Sequence, residues 1–234
     1  MARQKTPESL MREYNDEKYA ALMDARTMDE ALERYCGDPD EEIECSRHGE
    51  IFKMTTKEAH ALRSELLLGS LRPLIESAGC IVELGAGFGQ IAQLIAREYP
   101  TLHYIAGEFT PNGVELGKRL LPRVEFRHFD FFEDKWNIFD DVSNALVLTV
   151  HSVEMLPDAG LFVQKIREHA AHIQSVVDFE PIYEGGDELS RKRQAYIDAN
   201  CYCKNILDIP YTAIEKDFFG LNPLFSESRL EWKP

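Results

Sequence analysis

Three shortages narrow the field. The 234-residue chain has no apolar run approaching the roughly 20 residues that a membrane helix needs. Positive charge is scarce: 26 lysines and arginines face 41 aspartates and glutamates, for a formal net charge of −15. Such a field repels phosphate, and nucleic-acid binders need a basic surface that displaces counterions, so no RNA or DNA partner is expected. The five cysteines are odd in number and include no Cys-x-x-Cys pair. That argues against a disulfide framework and for a reduced, cytoplasmic protein. Cys45-x-x-His48, with Cys36 upstream and Cys201-x-Cys203 far downstream, lacks the spacing of a structural zinc site, and no metal is expected. The opening Met-Ala-Arg-Gln-Lys-Thr-Pro leads into no apolar segment, so neither a signal peptide nor a membrane association is expected. Gly-x-Ser-x-Gly and Gly-x-x-x-x-Gly-Lys-Ser/Thr are both missing.

What is present suffices for a packed core: 44% of residues are hydrophobic and 10% aromatic. The chain is organised around Ile81-Val82-Glu83-Leu84-Gly85-Ala86-Gly87-Phe88-Gly89-Gln90. A short buried strand runs into three glycines at alternate positions, and a helix with Ile91, Leu94 and Ile95 on one side follows. A strand ending in such a turn presents backbone N–H groups and a helix N-terminus to a ligand. The dinucleotide fingerprint Gly-x-Gly-x-x-Gly would place its last glycine at Gln90, so the spacing departs from it.

Strand and helix then alternate, as in a parallel sheet covered on both faces. Strands are expected at Cys80–Leu84, Leu102–Ala106, Val124–Phe129, Ala145–Val150 and Ser175–Phe179, with a terminal hairpin from Tyr211–Lys216 and Ser228–Trp232. Thr55-x-x-Glu58 is a capping box opening a helix to about Ile75, in which Pro73 predicts a kink or an end. Thr110-Pro111 opens another helix, and Asp187 and Glu188 begin one over 187–206. Residues 1–35 read as an amphipathic helix and 36–52 as an acidic, solvated break.

Glu83-Leu84-Gly85-Ala86-Gly87-Phe88-Gly89 resembles the first motif of the class I S-adenosylmethionine-dependent methyltransferases, usually written (D/E)-x-G-x-G-x-G. The resemblance covers roughly residues 80–180. It implies a Rossmann-like α/β fold: a seven-stranded, mostly parallel sheet with helices on both faces and a terminal antiparallel hairpin. It divides the chain into an N-terminal helical lid or appendage (1–58) and a cofactor-binding core (59–234), with 182–208 a helical insertion over the acceptor site. It implies S-adenosylmethionine as cofactor, held by Glu83, Gly85, Ala86, Gly87 and Gly89. Glu108, at the end of the second strand, would take the ribose hydroxyls, and Phe109 would pack on the adenine. Asp130 would accept from the adenine amino group, and Phe131 would wall it. Tyr19, with Tyr14, would cover the donor from the N-terminal helix.

The fourth strand of this family ends beside the transferable methyl group, which brings in His151, the first side chain outside the core after Ala145–Val150. A neutral imidazole there could take a proton from an acceptor hydroxyl. Glu154 could orient it or bind a cation, and Glu180 and Tyr183 should share the same rim. The expected function is therefore O-methylation of a small-molecule acceptor with His151 as general base and Glu154, Glu180 and Tyr19 as further catalytic residues. The alternatives are N-methylation of an amine or guanidine using Glu154 and Glu180, an NAD-dependent oxidoreductase, and a non-catalytic binding protein. A homodimer is compatible with any of these. The Asn/Asp-Pro-Pro-Tyr/Phe motif of amide and adenine N-methyltransferases is missing.

Overall fold

The computed structural model describes residues 5–182 and 185–234. Thr6 caps α1 (Pro7–Leu10), which widens into a π-helical stretch over Met11–Tyr19 and a 3-10 turn over Ala20–Leu22. Thr27 then starts α2 (Met28–Cys36) by accepting the Glu30 amide N–H. The single helix expected over 1–35 is thus several pieces, because Thr27 offers a fresh N-cap where the first helix has run out.

The break expected over 36–52 is instead largely a β-hairpin, β1 (Glu42–Arg47) and β2 (Glu50–Thr55). His48 and Gly49 both have positive φ (50° and 87°), the backbone twist that a two-residue hairpin turn requires. Ile43, Cys45, Phe52 and Met54 pack onto the core, while the alternate residues Glu42, Glu44 and Lys53 face outward. The acidic outer face hid the alternation. Ser46 bridges to Gly220, which fastens the hairpin to the main sheet.

α3 (Thr56–Ile75) opens with the expected capping box between Thr55 and Glu58 and runs past Pro73 to its end. The core follows as β3 (Cys80–Leu84), α4 (Gln90–Glu98), β4 (Tyr104–Glu108), α5 (Pro111–Leu120), β5 (Glu125–His128), β6 (Ala145–Val150), α6 (Ala159–Glu168), β7 (Ile173–Glu180), α7 (Glu188–Asn200), β8 (Ala213–Phe219) and β9 (Glu227–Trp232). Thr110 and Asp187 cap α5 and α7 as expected. α7 stops at Cys201, whose φ of 55° is left-handed, short of the expected 206.

The seven strands lie in the order β5-β4-β3-β6-β7-β9-β8. All neighbours are parallel except β9, which runs antiparallel to both β7 and β8. Every residue of β3 and β4 is buried, and side chains alternate between two cores. Ile81 joins Leu67, Leu71, Ile91 and Ile95 on one face, while Val82 and Leu84 join Phe131, Trp136, Phe162 and Trp232 on the other. The chain reverses its direction of travel between β3 and β6. In open sheets of this kind ligands bind outside the carboxyl ends of the strands at that switch point. No helix among the described residues is long and apolar enough to cross a membrane.

Candidate functional site

A cavity of about 820 Å³ opens at the carboxyl ends of β3, β4 and β6. Glu83, Gly85, Ala86, Gly87, Glu108, Phe109, Asp130 and Phe131 line one part of it, and His151, Ser152, Glu154 and Tyr202 line another. The fold thus brings most of the expected site residues to one cavity. Gly89 is not in the wall. A Cβ there would stand 2.7 Å from Phe126 and 2.8 Å from Leu121, so this glycine lets α4 approach the sheet. Gly85 makes room for a residue of the chain itself, since its Cβ would fall 2.5 Å from that of Ser152. The Ser152 hydroxyl donates to the Leu84 carbonyl at 2.8 Å, so the turns after β3 and β6 are stitched together.

Glu83 is buried and accepts from the Tyr104 hydroxyl at 2.7 Å. Burial pushes its carboxyl up to about 8. Glu108 ends β4 fully enclosed, and burial raises its pKa against the hydrogen bonds that lower it. Its Oε1 accepts from the Thr110 amide (2.8 Å) and hydroxyl (2.6 Å), and Oε2 accepts from the Gly87 amide at 2.9 Å. Each carboxylate oxygen has two lone pairs, so Oε2 retains one for a ligand hydroxyl, and a second ligand bond must displace one from Thr110. Asp130 Oδ1 accepts the Phe132 amide at 2.9 Å. Phe131 packs against Phe129 and Trp136 at centroid distances of 4.9 and 5.7 Å. Phe109 is half-buried and lies 6.4 Å from the His128 ring.

Tyr19 reaches the turn from the N-terminal segment and is buried against Phe88, with centroids 5.7 Å apart. Asn112 donates two 2.9 Å hydrogen bonds to Asn15, from its backbone amide to Oδ1 and from its side-chain amide to the carbonyl, which hold this segment to the start of α5. The Arg119 guanidinium adds bonds to the carbonyls of Met23, at 2.7 Å, and Ala25. Residues of the N-terminal segment, among them Tyr14 and Tyr19, therefore form part of the cavity wall.

His151 differs from its expected state. Its backbone is left-handed (φ 53°). Nδ1 lies 3.0 Å from Glu154 Oε2 and Nε2 lies 3.4 Å from Glu227 Oε2. The ring stacks on Phe225 with centroids 4.9 Å apart. Burial alone would lower its pKa, but the two carboxylates outweigh it and raise it to about 10. An imidazolium that donates from both nitrogens has no lone pair for an acceptor proton, so this arrangement speaks against the general-base expectation. Neither Glu227 nor its partner Arg63 was singled out in the sequence. Arg63, on α3, grips Glu227 with Nε at 2.9 Å and a terminal nitrogen at 2.6 Å. Glu227 is buried and Arg63 half-buried, and Arg63 holds Glu227 below its usual range against the burial that would raise it. No local pattern links two residues 164 positions apart.

Glu180 also departs from expectation. It is wholly buried and does not line the cavity. Its Oε1 accepts from the Thr149 hydroxyl and the amides of Ser152 and Val153, and its Oε2 accepts the Glu154 amide, all at 2.9–3.1 Å. Burial and the nearby Glu154 charge push it up to about 8. It shapes the loop that carries His151 and Glu154 and does not meet an acceptor directly. Tyr183, expected on this rim, lies outside the described residues. Cys45 is buried in the hairpin and His48 sits at its turn against Glu215 at 3.0 Å. Among the described residues no group of three or more His, Cys, Asp or Glu is disposed to hold a metal.

No family model matches the chain. A 90-residue stretch, 34% of the chain, is 39% identical to the release factor glutamine methyltransferase of Aliivibrio fischeri, and the match spans only 30% of that protein. The crystal structure of geranyl diphosphate C-methyltransferase from Streptomyces coelicolor, bound to Mg2+, geranyl diphosphate and S-adenosyl-L-homocysteine, superposes over 99% of both chains. Its TM-score is 0.56 and its sequence identity 13%. The S-adenosylmethionine-dependent methyltransferase SibL covers 74% of this chain and 55% of its own, with a TM-score of 0.54 and 16% identity. The sheet order, with β9 inserted antiparallel before β8, also departs from the 3-2-1-4-5-6 order of dinucleotide-binding sheets. The chain therefore has the fold of the class I S-adenosylmethionine-dependent methyltransferases.

Proposed function

We propose that the protein is an S-adenosylmethionine-dependent methyltransferase acting on a small-molecule acceptor. One observation carries the reading: the Gly85–Gly87 turn, Glu108 and Asp130, at three successive strand ends, open on the same cavity as His151 and Glu154. The residues fit the cofactor. The Gly85–Gly87 turn lines the cavity, Glu108 keeps an open lone pair for a ribose hydroxyl, and Asp130 with Phe131 offers an acceptor and an apolar wall for adenine. When bound, the cofactor supplies a methyl group on a positively charged sulfur that is already activated for displacement.

The protein's contribution is then positioning, exclusion of water and management of one proton. The N-terminal segment closes the cavity over the turn. Glu180 fixes the post-β6 loop through three amides. His151 holds Glu154 Oε2, and Glu154 becomes the cavity-lining group able to accept an acceptor proton. O-methylation through a neutral His151 loses its support, so a hydroxyl acceptor would have to rely on Glu154. Calorimetric titration with S-adenosylmethionine, S-adenosylhomocysteine and NAD tests the reading. Binding of the first two and not of NAD is expected, and the reverse would overturn it.

A further inference from the structure

Arg63, Glu227, His151 and Glu154 form a continuous chain of alternating charge across α3, β9 and the loop after β6, its two carboxylates buried and its two cations partly exposed. It ends at Glu154. Oε2 of that carboxylate is taken by His151, while Oε1 is buried with no hydrogen-bond partner. A buried carboxylate oxygen left without a donor is costly, and an orphan in a cavity wall points to a donor that arrives with a ligand. Arg63 and His151 are already engaged by Glu227 and by Glu154 Oε2, so no cation of the array is placed on Oε1.

The walls nearby are aromatic. Tyr14, Tyr202 and Phe225 line the cavity, with Phe225 stacked on Tyr202 at 4.8 Å and on His151 at 4.9 Å. The chain's own ammonium groups already use two of these rings: Lys18 lies 4.1 Å from the Tyr14 centroid and Lys5 lies 5.2 Å from that of Tyr202. An ammonium would satisfy both the orphan oxygen and these aromatic faces, whereas a neutral hydroxyl would only fill the hydrogen bond.

We propose that the acceptor is a cationic amine, recognised by the Glu154 carboxylate among Tyr14, Tyr202 and Phe225. This rests on the methyltransferase reading and adds the substrate class to it. A primary or secondary ammonium gives one proton to Glu154, which frees the nitrogen lone pair, and Glu154 then passes the proton to water. A tertiary amine that binds unprotonated needs no such step.

Isosteric pairs test the proposal: benzylamine against benzyl alcohol, and cyclohexylamine against cyclohexanol, titrated at pH 7 into protein saturated with S-adenosylhomocysteine. Each amine should bind at least about tenfold more tightly than its alcohol, as expected of a charge-assisted hydrogen bond in a buried site. Glu154→Gln should erase that difference, and Tyr202→Leu should weaken the amine more than the alcohol. Amines that bind no better than the alcohols, including no binding by either, overturn the proposal even if Glu154→Gln cannot be purified. Failure of S-adenosylhomocysteine itself to bind would instead remove the methyltransferase reading.

Discussion

The Tyr19 hydroxyl lies so close over Gly87 that a Cβ built on the glycine would stand 2.6 Å from that oxygen, although 3.5 Å from the ring carbon bearing it. This oxygen adds to the packing of Tyr19 and Tyr35 on Phe88, so the N-terminal segment and the glycine turn touch at more than one place. Gly87 also has a φ of +57°, which disfavours any side chain.

Gly87→Ala should then carry two separable penalties: about 1–2 kcal/mol for the left-handed backbone, and a steric one that lifts Tyr19. Tyr19→Phe removes only the clashing oxygen. In a thermal-denaturation double-mutant cycle, the double variant should recover the steric part and show coupling of about 1 kcal/mol. Strict additivity would show that Tyr19 does not rest on the turn.

Glu108 links the turn to α5 through the Gly87 amide and the Thr110 amide and hydroxyl. Glu108→Ala should lower S-adenosylhomocysteine affinity by about 10–100-fold and unfolding free energy by about 1–3 kcal/mol, because buried donors lose their acceptor. Calorimetry and denaturant titration measure the two effects. Unchanged affinity would take Glu108 out of the cofactor site.

The strands and the cavity residues at their carboxyl ends were legible because they rest on local signals. Cys80–Leu84 is apolar between turn residues, the glycines lie close in sequence, Glu108 ends a strand and Asp130 follows one. The 42–55 hairpin was not legible, since Glu42, Glu44 and Glu50 on its outer side read as a solvated loop. The state of His151 was beyond reach for a different reason. It depends on Glu227 and Arg63, which only the tertiary fold brings to it. Glu180 looked like a rim carboxylate at a strand end, yet its side chain turns inward to the amides of 152–154.

Glu180→Ala strands those three amides, while the Thr149 hydroxyl keeps Asp178 as acceptor, and should destabilise the protein by about 2–4 kcal/mol. Glu180→Gln keeps one acceptor oxygen and should cost less. Cofactor affinity, set at β3–β5, should change less than about threefold in the Gln variant, while methyl transfer falls as the loop carrying Glu154 loosens. A Gln variant of wild-type stability and rate would show that the loop holds its shape without the charge.

The last prediction concerns pH. The His151 pKa is raised to about 10 in the folded protein, against roughly 6.5 when unfolded. Its contribution to stability is therefore fully present below about pH 6.5 and is lost as pH rises through 10. Glu83 and Glu180, each pushed up to about 8, and Asp178, pushed to about 7, act in the same direction, because the folded protein holds their protons where the unfolded chain has released them. Glu227 and Asp217, held low beside Arg63 and Arg193, oppose them only in acid, where their contribution disappears as pH falls below the usual carboxyl range. Thermal stability should thus peak at mildly acidic pH and fall between 7 and 10. The His151 share is about 2–4 kcal/mol, less than its full shift because the ring keeps 27% of its surface exposed. His151→Gln should be less stable at pH 7, since Glu154 and Glu227 lose their shared cation, and its stability should fall less steeply above it. Methyl transfer by the wild type should show no His151 inflection near 6.5 and should decline toward pH 10 as the imidazolium is lost. Calorimetric melting from pH 5 to 10, beside single-turnover rates for both proteins, separates the two states of the ring. A stability profile flat above pH 7, with a rate inflection near 6.5 that His151→Gln abolishes, would mean that the imidazole is neutral and free to act as a base.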